Sequence, residues 1–240
     1  MDNKQISILS TRPLSDPILD LAVQQNVRLD CISYIETSFI DTEEIKESIH
    51  TLSQEKCNVV FTSMNAVESI QLHLNNKTHW DIYCMGNTTK ELVINNFGEE
   101  VLKGTANDAA ALAKKIIDHH LKEIVFFCGD IRRDELPDAL KAEKIKVTEI
   151  CVYKTTETPV KLAREYDGVL FFSPSAVRSF FKVNQVSSTT TFFSIGDTTS
   201  LEIKKYSSNN IIIADRSIKD DLARQAIHYY NNQTTNEHQN

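Results

Sequence analysis

Glycine is scarce in this sequence. Only six glycines occur in 240 residues, and they are scattered along the chain. Walker-type phosphate loops, the GxGxxG turn of dinucleotide-binding folds and the GxSxG turn of serine hydrolases all need glycines at fixed, close spacing. None of the three motifs is present. We therefore set aside the enzyme classes that depend on these loops.

Paired cysteines and metal-ligand spacings are also missing. The five cysteines occur singly, their number is odd and no CxxC pair exists; they are Cys31, Cys57, Cys84, Cys128 and Cys151. The seven histidines include no HExxH. We expect reduced thiols rather than disulfides, and no metal site.

The sequence lacks long apolar runs and an excess of positive charge. No run approaches the length of a membrane span, and the N-terminal residues lack the pattern of a signal peptide. With 26 basic and 33 acidic residues, the net charge is −7, which argues against non-specific binding to nucleic acid. We expect a cytoplasmic monomer with neither nucleic-acid nor membrane partners.

One stretch occurs twice. Phe192–Thr199 (FFSIGDTT) resembles Ile82–Thr89 (IYCMGNTT), and the two lie 110 positions apart. At the same offset, and without a gap, Val59–Ile70 falls on Val169–Phe180. A period this long predicts a duplicated domain rather than a solenoid of short repeats.

The repeated stretch predicts a strand, a turn and a helix. Gly86 and Gly196 supply the turn and can adopt backbone angles that other residues resist. Asn87 and Asp197 follow as candidate helix caps, and threonine hydroxyls come next. Such a helix N-terminus has unpaired N–H groups and favours anions, so we predict an anion-binding site.

Strands and helices alternate along the rest of the sequence, which predicts parallel sheets covered by helices on both faces. Ligands of such sheets bind beyond the carboxyl ends of the strands. Several polar segments would lie at those ends: Thr11-Arg12, Ser63, Gly86–Thr89, Gly129-Asp130, Ser173–Ser175 and Gly196–Thr199. Each hydroxyl has an alternative interpretation as a simple helix cap. Tyr153, near the end of a predicted strand, could be a core residue, a hinge residue or a proton donor.

These residues, together with the duplication, resemble the uroporphyrinogen-III synthase family. The resemblance covers nearly the whole chain and rests on ILSTRP, VVFTSMNAVESI, CMGNTTKEL, FFCGDIRRDELPDAL followed by VYKT, VLFFSPSAVRSF and SIGDTTSLEI, in that order. Each segment alone is weak; their order and spacing together are fairly specific.

The resemblance implies a particular α/β architecture. It consists of two flavodoxin-like, doubly wound parallel-sheet domains joined by two extended linkers, with a cleft between the domains. The first domain would comprise residues 1–35 and 159–230, and the inserted second domain residues 41–153. Residues 36–40 and 154–158 would be the linkers and 231–240 a polar tail. The repeat alone would instead divide the chain in tandem near residue 120.

The resemblance also implies a reaction. The substrate would be hydroxymethylbilane, a polyanionic linear tetrapyrrole, which is cyclised to uroporphyrinogen III with loss of water and inversion of the last pyrrole. Tyr153 would be the acid. The implied substrate-binding residues are Arg12, Ser63, Gly86, Thr88, Gly129, Ser173, Ser175, Gly196, Thr198 and Thr199.

Two other functions remain open at this point. A non-catalytic two-domain binding protein for a small anionic ligand would share the cleft, although it usually carries a signal peptide or a DNA-binding headpiece. A nucleotide-sugar transferase with two facing domains would usually require a longer chain.

Overall fold

Strands and helices alternate along the chain. The computed structural model describes residues 5–74, 77–86 and 88–237. In chain order the elements are β1 (Ile6–Ser10), α1 (Asp16–Gln24), β2 (Val27–Cys31), β3 (Ile35–Phe39), α2 (Glu43–Gln54), β4 (Asn58–Phe61), α3 (Met64–Gln71), β5 (Asp81–Met85), α4 (Thr88–Phe97), β6 (Leu102–Ala106), α5 (Ala109–Asp118), β7 (Glu123–Gly129), α6 (Glu135–Ala142), β8 (Lys146–Glu157), β9 (Gly168–Phe171), α7 (Pro174–Phe181), β10 (Thr191–Ser194), α8 (Asp197–Ile203), β11 (Ile211–Ile213) and α9 (Lys219–Glu237).

These elements form two compact units. The first contains the chain up to Glu36 together with the chain from Thr156 onward, and the second contains Thr37–Thr155. The second unit is thus inserted into the sequence of the first.

The first unit is built on a five-stranded sheet with the order β11-β10-β9-β1-β2. All four neighbouring pairs are parallel, as the sequence predicted. Successive residues of β1 face opposite sides: Ile8 packs with apolar residues of α1 and α9, and Leu9 packs with those of α7 and α8. Because helices bury both faces, the strands are almost continuously apolar.

The second unit is built on a six-stranded sheet with the order β3-β8-β7-β4-β5-β6. The five strands from β8 to β6 are parallel to their neighbours. Val60 of β4 packs with apolar residues of α5 and α6, whereas Val59 and Phe61 pack with those of α2, α3 and α4. The predicted arrangement of helices on both faces therefore holds in each unit.

The two sheets have related strand orders. Numbered along the chain, the strands of the first unit have the order 2-1-3-4-5. The parallel strands of the second unit have the same order when the count begins at β7 and β8 and continues with β4, β5 and β6. One sheet is thus a circular permutation of the other.

The 110-residue repeat matches this correspondence. Strands β4 and β9 begin and end 110 positions apart, and so do helices α3 and α7. Helices α5 and α9 begin at the same offset. The repeat covers only the elements that have the same chain order in both units.

The segments predicted as linkers are hydrogen-bonded strands. Residues 36–40 fall largely in β3, and residues 154–158 fall largely in the end of β8. The Ile40 N–H donates to the Val152 carbonyl over 2.9 Å, and the Thr158 N–H donates to the Tyr34 carbonyl over 3.0 Å. Backbone pairing therefore restrains both segments.

The C-terminal helix is longer than the sequence predicted. We expected it to end at Tyr230, before a polar tail, but α9 continues to Glu237. The expectation was wrong over these seven residues because asparagine, glutamine and threonine disfavour a helix only weakly. Residues 238–240 of the expected tail lie outside the described part of the chain.

Candidate active site

The first unit brings its predicted site residues to one edge of its sheet. Arg12 follows β1, Ser173 follows β9 and Gly196 follows β10. These three strands are parallel neighbours, so their carboxyl ends lie side by side.

The second unit does the same with its own residues. Ser63 follows β4, Gly86 follows β5, Gly129 ends β7 and Tyr153 lies in β8. The four strands are consecutive in the order β8-β7-β4-β5. The predicted set is therefore divided between two sheets.

Tyr153 has the most specific surroundings. It pairs with Gly129 of the neighbouring strand, just after a one-residue shift of register. Its carbonyl accepts a hydrogen bond of 3.1 Å from the Asp130 N–H. Burial raises the pKa of its phenol, and a hydrogen bond with the Ser63 side chain acts in the opposite direction without cancelling that shift. The phenol is therefore protonated at neutral pH and can donate a proton.

Asp130 was noted in the sequence only as part of the Gly129-Asp130 segment, without a role of its own. Its Oδ1 accepts hydrogen bonds of 2.9 Å from the N–H groups of Ile131 and Thr155. The carboxylate thus joins the residues just after β7 to Thr155 of β8, two positions after Tyr153. Its position after a glycine at the end of a strand was the only signal in the sequence.

The serines act as helix caps. Ser63 Oγ accepts from the Asn65 N–H over 3.2 Å, and Ser173 Oγ accepts from the Ala176 N–H over 3.2 Å. Ser173 Oγ also lies 3.1 Å from Ser175 Oγ. Because a hydroxyl has two acceptor lone pairs and one donor, capping leaves these side chains able to make a further hydrogen bond.

The repeated turns differ from the prediction. Gly196 has an extended backbone with φ 173°, which any residue can adopt, and among the described glycines only Gly98, with φ 96°, lies in the left-handed region. Neither Gly86 nor Gly196 therefore uses the conformational freedom that glycine allows. Asp197 is the first residue of α8 and not its cap, because Gly196 occupies the cap position. Asn87 lies outside the described residues.

The threonines after these glycines alternate in exposure. Thr88 is exposed and Thr198 is half-buried, whereas the next residue in each copy, Thr89 or Thr199, is buried. Successive helix residues point about 100° apart, so the first threonine faces solvent and the second faces the core. Thr199 was a predicted binding residue, and only 3% of its surface is exposed.

Arg12 is exposed, and its backbone is held by Ser10. Ser10 Oγ donates to the Arg12 carbonyl over 2.5 Å and accepts from the Arg12 N–H over 3.4 Å. Within residues 5–74, 77–86 and 88–237, none of the ion pairs involves Arg12. Its guanidinium is thus a candidate partner for a carboxylate of a ligand.

Two other kinds of site were sought in the described part of the chain. It contains no group of three histidine, cysteine or acidic side chains arranged to hold a metal ion. It also contains no helix that is both long and apolar enough to cross a membrane.

The fold and the phenol together define a class of protein: a parallel α/β protein with polar side chains at the carboxyl ends of its strands, where ligands of such sheets bind. The family model for uroporphyrinogen-III synthase HemD matches residues 21–224. The chain belongs to the uroporphyrinogen-III synthase family.

Individual relatives are distant. An uncharacterized protein of Rickettsia prowazekii is 27% identical over 203 residues, which cover 82% of this chain and 70% of the relative. The crystal structure of uroporphyrinogen-III synthetase from Helicobacter pylori matches with a TM-score of 0.58 at 16% identity, covering 93% of this chain and 99% of that one. A mutant uroporphyrinogen III synthase from Thermus thermophilus matches with a TM-score of 0.65 at 12% identity, covering 95% and 99%. At these identities the solved structures support the fold alone.

Proposed function

We propose that this protein is a uroporphyrinogen-III synthase, a lyase of tetrapyrrole biosynthesis that converts hydroxymethylbilane to uroporphyrinogen III and water. The family match over residues 21–224 carries the proposal. It favours an enzyme over the binding protein and the transferase that the sequence left open.

The chemistry begins with loss of the terminal hydroxyl of hydroxymethylbilane. Departure of this group as water leaves an electrophilic azafulvene, which closes the ring through a spiro intermediate so that the last pyrrole is inverted. We propose that Tyr153 donates the proton that assists departure. Burial and the raised pKa favour its protonated form, the form that this step needs.

The substrate carries acetate and propionate carboxylates, so binding requires donors. We propose that Ser63 and Ser173 bind carboxylates through their hydroxyls and the N–H groups at the starts of α3 and α7. Arg12 would supply a cation, and the exposed or half-buried threonines would supply further hydroxyls. The predicted set also includes Gly86, Gly129, Ser175, Gly196 and Thr199. Because Thr199 is buried, the structure supports Thr198 more strongly for this role.

We further propose that both units are flavodoxin-like domains. The 2-1-3-4-5 strand order of the first unit is the order of that fold, and the second unit has it in permuted form. The enzyme would work without a cofactor, because the proposed chemistry requires one weak acid and correct positioning of the substrate. A cytoplasmic monomer is part of the same proposal.

The isomer that is formed tests this proposal. Without enzyme, hydroxymethylbilane closes spontaneously to the I isomer, so the isomer ratio is the measurement. Purified protein should give uroporphyrinogen III, identified as the porphyrin after oxidation, and a chelator should not reduce the yield. Isomer I alone at saturating, folded protein would contradict the synthase. A binding protein would leave the spontaneous product distribution unchanged.

A further inference from the structure

The ring of Tyr153 occupies the space where a side chain on Gly129 would stand. A Cβ atom at Gly129 would lie 2.5 Å from Cε2 and from Cζ of Tyr153, and 2.8 Å from its hydroxyl oxygen. Non-bonded carbon atoms normally approach to about 3.5–4.0 Å. The ring can hold this position only because residue 129 has no side chain.

The neighbouring backbone holds both residues in place. Gly129 and Tyr153 are register partners in adjacent parallel strands. The Asp130 N–H donates to the Tyr153 carbonyl, and Asp130 Oδ1 accepts from the Thr155 N–H. Since the two strands cannot separate without breaking these bonds, an added Cβ would displace the ring rather than the backbone.

The hydroxyl end of the ring lies toward Ser63. The Ser63 side chain, at the end of β4, is near enough to the Tyr153 phenol to act on its pKa, which it lowers against the larger effect of burial. Strand β7, which contains Gly129, lies between β8 and β4 in the sheet. The ring therefore extends from its own strand across Gly129 toward Ser63.

We infer that Gly129 is a positioning residue, whose missing side chain leaves the space that the Tyr153 ring occupies and so fixes where its hydroxyl lies. This differs from the direct role in substrate binding that the sequence implied for Gly129. The catalytic consequence rests on the proposed function, because it requires Tyr153 to be the proton donor. The position of the Tyr153 ring over Gly129 can be tested without measuring any activity.

An NMR titration of the Tyr153 phenol tests whether Gly129 positions the ring. Tyrosines labelled with ¹³C at Cζ give one NMR signal each, and the signal lost in Tyr153→Phe identifies Tyr153. In the parent protein this signal should titrate above the ordinary tyrosine pKa of about 10. In Gly129→Ala the ring is displaced toward solvent, so the titration should move down toward that value. An unchanged chemical shift and titration would overturn the inference.

Gly196→Ala is the matched control for that measurement. A Cβ atom at Gly196 would meet only Ser217 Oγ, at 3.6 Å, which is ordinary contact, and its φ of 173° suits any residue. The Tyr153 signal should therefore stay unchanged in Gly196→Ala. An equal shift in both variants would also overturn the inference, because the effect would not come from the position of the ring over Gly129.

Kinetics test the catalytic consequence. Gly129→Ala should lower kcat by up to the order of 10²-fold, the loss typical of a catalytic group displaced by about 1 Å, with a much smaller change in KM. In the Tyr153→Phe background the same substitution should cause little further loss, because no hydroxyl remains to be displaced. Equal losses in both backgrounds would show that Gly129 does not act through the phenol. Full activity of Tyr153→Phe would show that Tyr153 is not the acid. The NMR result would then decide by itself whether Gly129 positions the ring.

Folding supplies a last check. If Gly129→Ala alone fails to fold, Gly129→Ala combined with Tyr153→Ala should recover the fold, because the colliding ring is gone. Failure of the double variant, with Tyr153→Ala itself folded, would overturn the inference.

Discussion

Helices α3 and α7 occupy the same place in the two units and differ in their polar contacts. Both follow a central strand, both have a serine at the cap and both bury the same face. In α3, Ser69 Oγ donates to the Val152 carbonyl over 2.7 Å, whereas the corresponding Ser179 Oγ in α7 is buried without a hydrogen-bond partner among the described residues. The two helices therefore pack in the same way but differ in the hydrogen bonds of their buried serines.

The serine caps differ in the same way. The Ser63 side chain lowers the pKa of the Tyr153 phenol, whereas Ser173 Oγ lies 3.1 Å from the hydroxyl of Ser175. The apolar positions of α3 and α7 are buried in both units, whereas their polar contacts differ. The repeat therefore identifies the shared framework, and the polar contacts have to be determined in each unit separately.

The largest expected effect concerns Tyr153, the phenol of the second unit whose pKa the cap residue Ser63 affects. Tyr153→Phe removes the acidic proton and little volume, so turnover should fall by about 10²–10⁴-fold while product affinity is nearly unchanged. Steady-state kinetics and product binding measure the two quantities.

Tyr34→Phe is the control for that substitution. Tyr34 belongs to the first unit, is fully buried and contacts Phe180 with ring centroids 5.2 Å apart. Turnover should stay at the parent level in Tyr34→Phe. An equal loss in both variants, or none in Tyr153→Phe, would contradict the assignment of the acid.

The second effect is a difference in stability between the Ser69→Ala and Ser179→Ala variants. Ser69→Ala removes a buried hydrogen bond and should lower the free energy of unfolding by about 0.5–1.5 kcal/mol, because the Val152 carbonyl keeps its bond from the Ile40 N–H. Ser179→Ala removes a buried hydroxyl that has no partner in the described residues, so it should be neutral or stabilise by up to about 1 kcal/mol. Urea unfolding of both variants measures this. Equal destabilisation would mean that the difference between the helices has no energetic weight.

The third effect concerns Glu157, an acidic residue of the first unit that contacts α7. Its carboxylate accepts from Arg178 Nε over 3.0 Å and lies 2.7 Å from Lys182 Nζ just after α7. Burial alone would raise the pKa of Glu157, but the hydrogen bonds and charges of Lys182 and Arg178 outweigh it, so the pKa is lowered from 4.5.

A lowered pKa in the folded state stabilises the protein above the unfolded pKa. This contribution, about 1 kcal/mol for a partly exposed pair, should be lost as the pH falls from about 5 through the lowered pKa. Glu157→Gln should remove it at neutral pH and flatten the acid limb of the stability profile. Thermal unfolding between pH 3 and pH 7 is the measurement, and an unchanged profile would contradict a role for this ion pair.

Much of the framework could be predicted from the sequence. Apolar strands alternating with amphipathic helices predicted parallel sheets, and the 110-residue repeat matches β4 with β9 and α3 with α7 to the residue. The same pattern put Ser63, Gly129 and Ser173 at the carboxyl ends of strands. These features depend on local sequence and on the buried faces of the elements, which is why one sequence was enough.

The chemistry at the strand ends was less predictable. The contact between Gly129 and Tyr153 joins residues 24 positions apart across a shift of register, and no local pattern encodes it. Gly196 looked like a turn that only glycine allows, yet its backbone is extended. Asp197 has the side chain of a cap and begins the helix instead, because the chain places Gly196 one residue earlier at the cap.

The smallest expected effect is an exchange of charge between the two helices. Position 68 of α3 holds a glutamate where the matching position 178 of α7 holds an arginine. Glu68 is exposed and takes part in none of the ion pairs found in the described chain, so Glu68→Arg should change the free energy of unfolding by less than about 0.5 kcal/mol. Arg178→Glu is the reciprocal change, and it should cost more because it puts a second carboxylate beside Glu157. Urea unfolding at low and high salt compares them: the cost of Arg178→Glu should shrink as salt screens the repulsion, whereas Glu68→Arg should show little salt dependence. If the two substitutions lower the free energy of unfolding equally, the polar contacts of α7 contribute no more to stability than the exposed face of α3 does.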